Sequence, residues 1–280
     1  MFSFQPSPKP QEPSTAQRNQ EPRTLFTTEE RNSRILAALQ KKMPHVKNFS
    51  HDIGLPTRAV GHASGLETAS RIGRSYRNDH RPRSQYVEPQ PVIQVLREAG
   101  VNRWVLMGLY GYVGYLAMPR ATQDVDILID ENELELAVSA ILKRWPALQV
   151  DRQEVVVRFR DPGEVSITGE VMQVIDLMLP SNDCYQAVLD QYHRIDKATG
   201  NRIPIIEAAC ASKFAAIVSP HRSLEKKAYD AADLRSIFVP NYEAIDRNLL
   251  EHLGNLVYEG GGKELLEFLE LAKQQKPFPV

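Results

Sequence analysis

Between residues 91 and 180 the chain alternates strand-like and helix-like segments, and this alternation limits the folds available to it. After Pro180 the strand pattern fades and helical spacing continues almost to the last residue. The sequence therefore predicts a mixed α/β unit followed by a largely helical C-terminal part. Helices are predicted at 91–99, 131–145, 183–192, 206–218, 224–238, 242–258 and 263–273, strands at 103–107, 124–129, 154–160 and 171–179, and a hairpin around 199–201.

The first 85 residues lack this alternation. Residues 1–22 are dominated by Pro, Gln and Ser, a composition with too little apolar area to fold, which predicts a disordered tail. A capping box at Thr27 and Glu30 predicts one short helix at 28–42, and residues 45–91 read as an aperiodic linker. We therefore divide the chain into a disordered tail and basic linker with one short helix (1–85), an α/β core (86–180) and a helical C-terminal region (181–280).

The charge of the chain is balanced overall but uneven along its length. Thirty-four basic and 35 acidic residues give a formal charge of −1, so no global excess attracts nucleic acid or anionic lipid. Residues 41–85 nevertheless carry nine basic and three acidic side chains, which could contact a nucleic-acid backbone. We favour a solvated linker, because no aromatic interleaving beyond Tyr76 offers bases a stacking surface. No apolar run is long enough to span a bilayer and no signal peptide is apparent, so we expect a cytoplasmic location and no membrane partner.

Three aspartates stand inside apolar strand patterns. Because side chains alternate along a strand, Asp124 and Asp126 share one face of the strand predicted at 124–129. Asp176 occupies a similar setting in the strand predicted at 171–179. If the two strands are neighbours, the three carboxylates can converge on divalent cations, and Mg²⁺ suits hard oxygen ligands best. A solvated strand end would explain one Asp-x-Asp pair but not the third acid.

These residues resemble the polymerase-β-type nucleotidyltransferase superfamily, and most nearly its AbiEii-like bacterial branch, which includes nucleotidyltransferase toxins. The likeness is carried by Gly108, by Pro-Arg-Ala-Thr-Gln-Asp-Val-Asp at 119–126 and by Val-Ile-Asp-Leu at 174–177. The resemblance implies a small mixed sheet flanked by helices and transfer of NMP from an NTP with release of pyrophosphate. It also implies Mg²⁺ held by the catalytic acids Asp124, Asp126 and Asp176.

The resemblance further implies a nucleotide site. Its residues are Gly108, Arg120, Thr122 and Lys213. The chain departs from the family pattern at Leu109, where the family has Gly or Ser to hold the triphosphate, and this bears on nucleotide affinity rather than on the metal ligands. Arg120 precedes Asp124 by four residues, so it can pair with phosphate or neutralise the acids.

The likeness continues into the helical region, where Lys213 precedes a Lys-x-x-Asp-x-x-Asp run. Lys213 lies on an apolar helix face, so its ammonium either binds a triphosphate or extends to solvent from the surface. For Asp230 and Asp233 we favour salt bridges between helices, with Lys226, Lys227 or Arg235 as partners, over a catalytic role.

Two classes of function follow. The first is an active Mg²⁺-dependent nucleotidyltransferase whose acceptor is an RNA such as tRNA, a protein hydroxyl or a small molecule such as an aminoglycoside. The second is a non-catalytic relative that serves as a binding or scaffold module. Retention of all three acids favours activity, because unpaired buried carboxylates are costly. A metal-dependent phosphodiesterase ranks third, and the resemblance adds an antitoxin protein as a partner of the toxin branch.

Overall fold

The computed structural model describes residues 59–279. The tail expected at 1–22 and the helix expected at 28–42 lie outside the described residues. The helices are α1 (His62–His80), α2 (Pro89–Glu98), α3 (Gly108–Tyr112), α4 (Leu134–Arg144), α5 (Asp183–Asp190), α6 (Ile206–Val218), α7 (Leu224–Asn241), α8 (Arg247–Val257) and α9 (Gly261–Lys273). The strands are β1 (Trp104–Leu106), β2 (Val125–Ile129), β3 (Gln149–Arg152), β4 (Val156–Val165), β5 (Val171–Met178), β6 (His193–Ile195) and β7 (Arg202–Pro204).

Five of the strands form one mixed sheet in the order β1-β2-β5-β4-β3. β2 and β5 run parallel, and the other neighbouring pairs in this sheet run antiparallel. β6 and β7 form the predicted hairpin. Helices cover both sides of the sheet, so the expected mixed α+β fold, with a small mixed sheet flanked by helices and a helical C-terminal part, is confirmed.

The two faces of β2 belong to different parts of the core. Val125, Ile127 and Ile129 pack with α1, α2 and α4, whereas Leu128 packs with the C-terminal helices α5 to α9. This division follows from the alternation of side chains along a strand. Because Asp124 and Asp126 alternate in step with Leu128, the acids face the C-terminal helices.

Local sequence signals explain where several helices begin. α2 has Pro in its first turn, a position where its missing N–H costs no hydrogen bond. The side chains of Asn182, Ser223 and Asp246 accept backbone N–H groups at the starts of α5, α7 and α8. The predicted helices therefore agree with the observed ones to within a few residues at most ends.

α1 corrects the sequence analysis, which expected an aperiodic linker over residues 45–91. Leu66, Ala69, Gly73 and Arg77 form its buried side, at a spacing typical of a helix face. A face with one large apolar residue gives little hydrophobic periodicity, which is why the pattern was missed. Small residues also let the helix approach closely, since a Cβ on Gly65 would lie 2.9 Å from the carbonyl oxygen of Val113.

The sheet is also larger than predicted. β3 was missed because its four residues are exposed or half-buried, so it lacks an apolar face. β4 continues to Val165, past the predicted end at residue 160, with register shifts around Asp161 that carry Pro162 and Gly163 through the strand. Pro and Gly read as a strand end in the sequence, and the irregular pairing accommodates them.

Two further features concern membranes and thiols. Among residues 59–279, no helix combines the length and the apolar character needed to cross a bilayer. Cys184 and Cys210 are free and buried in the core beneath the C-terminal helices, and burial raises the pKa of both thiols. They therefore serve as small apolar packing groups.

Candidate functional site

The three aspartates singled out in the sequence meet at the junction of β2 and β5. Asp126 and Asp176 are Cα partners in the parallel pair, and Asp124 lies two residues earlier on the same face of β2. One carboxylate oxygen from each residue lies within 4.8 Å of the corresponding oxygens of the other two. The convergence that the sequence predicted therefore occurs, because β5 is the direct neighbour of β2.

The trio carries more negative charge than its surroundings neutralise. Burial raises the pKa of Asp126 well above its ordinary value, and the nearby Asp124 and Asp176 raise it further. Burial, and then Asp124, raise the pKa of Asp176 to about 6. Oδ1 of Asp176 is buried without a hydrogen-bond partner. Three converging oxygen donors, one of them unpartnered, fit a divalent cation such as Mg²⁺, which would compensate the charge and bind the unpartnered oxygen.

Gly108 lies against this trio. Its φ of +55° is in the left-handed region, and a Cβ there would lie 1.8 Å from Oδ2 of Asp126. The backbone N–H of Met107 donates to the carbonyl oxygen of Asp126 at 2.8 Å, so the start of α3 is tied to β2. Both the backbone conformation and the close approach therefore require glycine at this position.

A cavity of about 130 Å³ opens from the trio toward the C-terminal helices. Gly108 and Asp126 line one side of it, and Lys213, Arg222 and Ser212 line the other. One acid of the trio and two cations thus line the same cavity. Arg222 was not among the predicted site residues, although its place between Lys213 and the Asp-x-x-Asp run was visible in the sequence.

Lys213 is held by two acids of α7. Its Nζ lies 2.9 Å from Oδ1 of Asp230 and 2.9 Å from Oδ2 of Asp233, and it sits 4.9 Å from the centre of the Tyr112 ring. Burial lowers the pKa of Lys213, but Tyr112, Asp233 and Asp230 together raise it above its ordinary value. The lysine is therefore a buried, charged group and not a surface lysine reaching solvent.

The partners of the two α7 acids differ from those predicted. Asp230 pairs with Lys213 and Arg222, and Asp233 pairs with Lys213 and Arg120. Lys226, Lys227 and Arg235, expected as partners, are not the cations that these acids contact within the described residues. The three expected cations all lie on α7 itself, whereas the observed cations come from other segments of the chain.

Arg120 and Thr122 act on different acids. Arg120 binds Asp233 through Nε at 3.1 Å and Nη2 at 2.8 and 2.9 Å, and does not neutralise the trio directly. Oγ1 of Thr122 donates to Oδ1 of Asp124 at 3.0 Å, so it positions one acid of the trio. Tyr112, which the sequence analysis missed, donates its hydroxyl to Oδ2 of Asp233 at 2.6 Å.

Comparison of the sequence with protein-family models gives no match, and comparison with curated proteins gives none either. Solved structures similar to this chain include an antigenic nucleotidyltransferase-like protein from Paracoccidioides brasiliensis, at 15% identity and a TM-score of 0.37, over 76% of this chain and 94% of that protein. The antibiotic-resistance factor ANT(2'')-Ia matches at 12% identity and 0.40, over 66% and 94%. The Megavirus polyadenylate synthase matches at 11% and 0.39, over 89% of this chain and 50% of that protein.

Proposed function

We propose that this protein is a Mg²⁺-dependent nucleotidyltransferase, which moves an NMP from an NTP onto an acceptor hydroxyl and releases pyrophosphate. The observation that carries the proposal is the convergence of Asp124, Asp126 and Asp176. Each contributes a carboxylate oxygen, and these three oxygens lie within 4.8 Å of one another. A trio of this kind is costly unless a cation compensates it, because like charges close together disfavour the ionised forms. These three residues would hold the Mg²⁺.

The cavity beside the trio suits the phosphates of the nucleotide. Lys213 has three N–H donors, of which Asp230 and Asp233 engage two, so one remains for a phosphate oxygen. Arg222 offers the planar, multiple donors that match phosphate geometry. The backbone at Gly108 can approach the same space closely, because no side chain stands between it and Asp126. Arg120 contributes indirectly, by holding the Asp233 that orients Lys213.

The transfer breaks one P–O bond and forms another. The acceptor oxygen bonds to the α-phosphorus while the bond between that phosphorus and the oxygen bridging to the β-phosphate breaks, and pyrophosphate leaves with the electron pair. Bound Mg²⁺ would supply positive charge that stabilises the developing phosphate charge. The hydroxyl proton passes to Oδ2 of Asp176, which leaves the unpartnered Oδ1 of that carboxylate for the cation. Lys213 and Arg222 hold the phosphates in place.

The position of the Leu109 side chain distinguishes two alternatives, an active enzyme and a non-catalytic binding or scaffold module. Its side chain is 3% exposed and packs in the apolar cluster beneath the C-terminal helices. The residues that line the cavity include Gly108 but not Leu109, so the departure from the family pattern does not fill the space for phosphates. This supports the catalytic alternative. The AbiEii-like branch, a toxin role and an antitoxin partner rest on the sequence motifs alone.

Labelling tests the proposal. We expect the full chain, given Mg²⁺ and each α-³²P NTP in turn in a cell extract, to label an acceptor in a reaction abolished by EDTA and by Asp126→Asn. Asp151→Asn is the matched control, because it removes a β3 carboxylate that pairs with Arg160 and stands outside the trio. The proposal would be overturned, and the binding module favoured, if folded wild type labelled no acceptor with any NTP and its melting temperature did not change with Mg²⁺.

A further inference from the structure

A second cleft lies beside α1. It has a volume of about 360 Å³ and runs between α1 and the loop that enters β2. We call it the arginine cleft, defined by the lining residues Tyr76, Arg77, Arg81, Arg120, Thr122, Gln123 and Glu164. No step of the nucleotide chemistry described above uses its α1 wall.

The arginine cleft is electropositive. Glu164 is fully buried and accepts from both Arg77 and Arg81, so one carboxylate serves two guanidinium groups. Arg120 reaches the cleft from the opposite wall, with its own pairing to Asp233 and half of its side chain exposed. Each guanidinium carries five N–H donors, so donors remain after these pairings. The cleft therefore favours an anionic ligand and repels a cationic one.

The position of the cleft connects it with the trio. Thr122 and Gln123, which line it, directly precede Asp124, and Thr122 donates to the Asp124 carboxylate. Nε2 of Gln123 is buried without a hydrogen-bond partner. Asp126, two residues further along, lines the cavity that holds Lys213. The loop residues that line the cleft thus lead directly into the strand whose acids form the trio.

Aromatic rings lie at the rim of the cleft. Tyr76 is 50% exposed, and its ring stacks on that of His80 with centroids 4.5 Å apart and planes inclined by 16°. The guanidinium carbon of Arg81 lies 5.7 Å from the centre of the Tyr76 ring. Arginines that bind phosphates, next to an exposed aromatic side chain that stacks on bases, are the two elements of a single-stranded nucleic-acid site.

We propose that the arginine cleft binds the acceptor and that the acceptor is the hydroxyl-bearing end of a single-stranded nucleic acid. Its phosphates contact Arg81 and Arg120, and a base stacks on Tyr76. This inference rests on the proposed function. A cationic acceptor such as an aminoglycoside is disfavoured by the charge of the cleft, and an acidic protein segment would leave the Tyr76 platform unused.

Binding measured without NTP or metal tests the site separately from the chemistry. The probes are a 5′-fluorescein 12-nucleotide RNA and the DNA strand of the same sequence, titrated with the full chain and followed by fluorescence anisotropy at several salt concentrations. We expect Tyr76→Ala to weaken binding by about 5-fold or more through lost stacking. Arg81→Gln should also weaken binding, and should reduce the slope of log K against log[salt] by about 0.7, the value for one phosphate contact on a single strand.

Arg71→Gln is the matched control, because it removes the same charge from α1 at a position that does not line the cleft. We expect it to leave binding unchanged. Melting curves report whether Arg81→Gln folds. If Arg81→Gln does not fold, Tyr76→Ala still tests the inference, because Tyr76 is exposed. The inference would be overturned if both cleft variants bound both strands with wild-type affinity. It would also be overturned if Arg71→Gln weakened binding as much as the cleft variants do.

Two further readouts separate the outcomes. The first is competition by polyglutamate. If polyglutamate displaces the strands from wild type, and binds Arg81→Gln more weakly but Tyr76→Ala equally well, the cleft binds an acidic protein segment and the nucleic-acid inference is overturned.

The second readout is the Mg²⁺-dependent binding of methylanthraniloyl NTPs to wild type, which reports on the nucleotide cavity alone. If wild type binds these NTPs while the cleft variants keep wild-type affinity for the strands, the inference fails and the proposed function stands. If NTP binding is absent but the cleft variants lose strand affinity, the cleft stands as a binding site and the proposed function fails.

Discussion

Replacing Asp176 with Asn removes one charge from the trio while keeping the shape of the side chain. In a metal-free protein the three carboxylates repel one another, and burial disfavours the ionised forms of Asp126 and Asp176. The substitution should therefore stabilise the metal-free protein at neutral pH. It should also weaken the response to Mg²⁺, because a neutral amide is a poorer ligand for a hard cation than a carboxylate.

The size of the effect follows from the pKa of Asp176, which is raised from 3.8 to about 6. A raised pKa means that the folded protein binds this proton more tightly, so the stabilising contribution is complete below about pH 4 and is lost as the pH rises through about 6. A shift of about two units corresponds to about 3 kcal/mol at pH 7.5. The variant also loses the contact of Arg158 Nε with Oδ2, 3.5 Å apart, so we expect a net gain of about 1–3 kcal/mol.

Thermal unfolding followed by circular dichroism measures this prediction. In EDTA at pH 7.5 the melting temperature of Asp176→Asn should exceed that of wild type by about 2–10 °C, and the difference should shrink toward pH 4. Added Mg²⁺ should raise the melting temperature of wild type and of the control Asp151→Asn more than that of Asp176→Asn. A variant that is less stable than wild type in EDTA, or that gains as much from Mg²⁺, would refute the reasoning, since it would mean that Asp176 anchors an internal salt bridge.

Three other changes are predicted to act at other points of the structure. Gly108→Ala should lower Mg²⁺ affinity at least several-fold in isothermal titration, because its Cβ would displace the Asp126 carboxylate; unchanged affinity would contradict the close approach. Lys213→Gln should cost about 3 kcal/mol in urea unfolding, since it leaves the buried Asp230 with one cation fewer, and a neutral result would argue against the network. Deleting residues 1–85 should reduce the cooperativity of unfolding, because it removes Leu66 from the core; a sharp, unshifted transition would restore the linker interpretation.

The sequence predicted the acids better than it predicted their counter-charges. Strand alternation alone placed Asp124 and Asp126 on one face, and β5 proved to be the neighbour that brings Asp176 to them. Lys213 was recognised as needing a partner, but its partners were not identified. Spacing along a helix reveals which residues share a face, and it does not reveal which other segment packs against that face.

α1 was missed for a related reason. Apart from Leu66, its buried face consists of small residues, His62 and Arg77, so hydrophobic periodicity had almost nothing to detect. Arg77 is buried because Glu164, 87 residues away in the chain, and the carbonyl oxygen of Gln123 accept its N–H groups. The helix therefore forms part of the core through contacts that exist only once β4 and the loop before β2 are in place.

The sequence by itself determined the features that depend on near neighbours: the ends of most helices, the alternation of β2 and the placing of its acids on one face. These follow from backbone geometry and side-chain caps within a few residues. Tertiary structure alone decided which cations meet which acids, as in the pairing of Arg120 with Asp233 across 113 residues, and where the two clefts lie. Such contacts depend on how elements pack, and a one-dimensional pattern carries no information about the distance between segments that are remote along the chain.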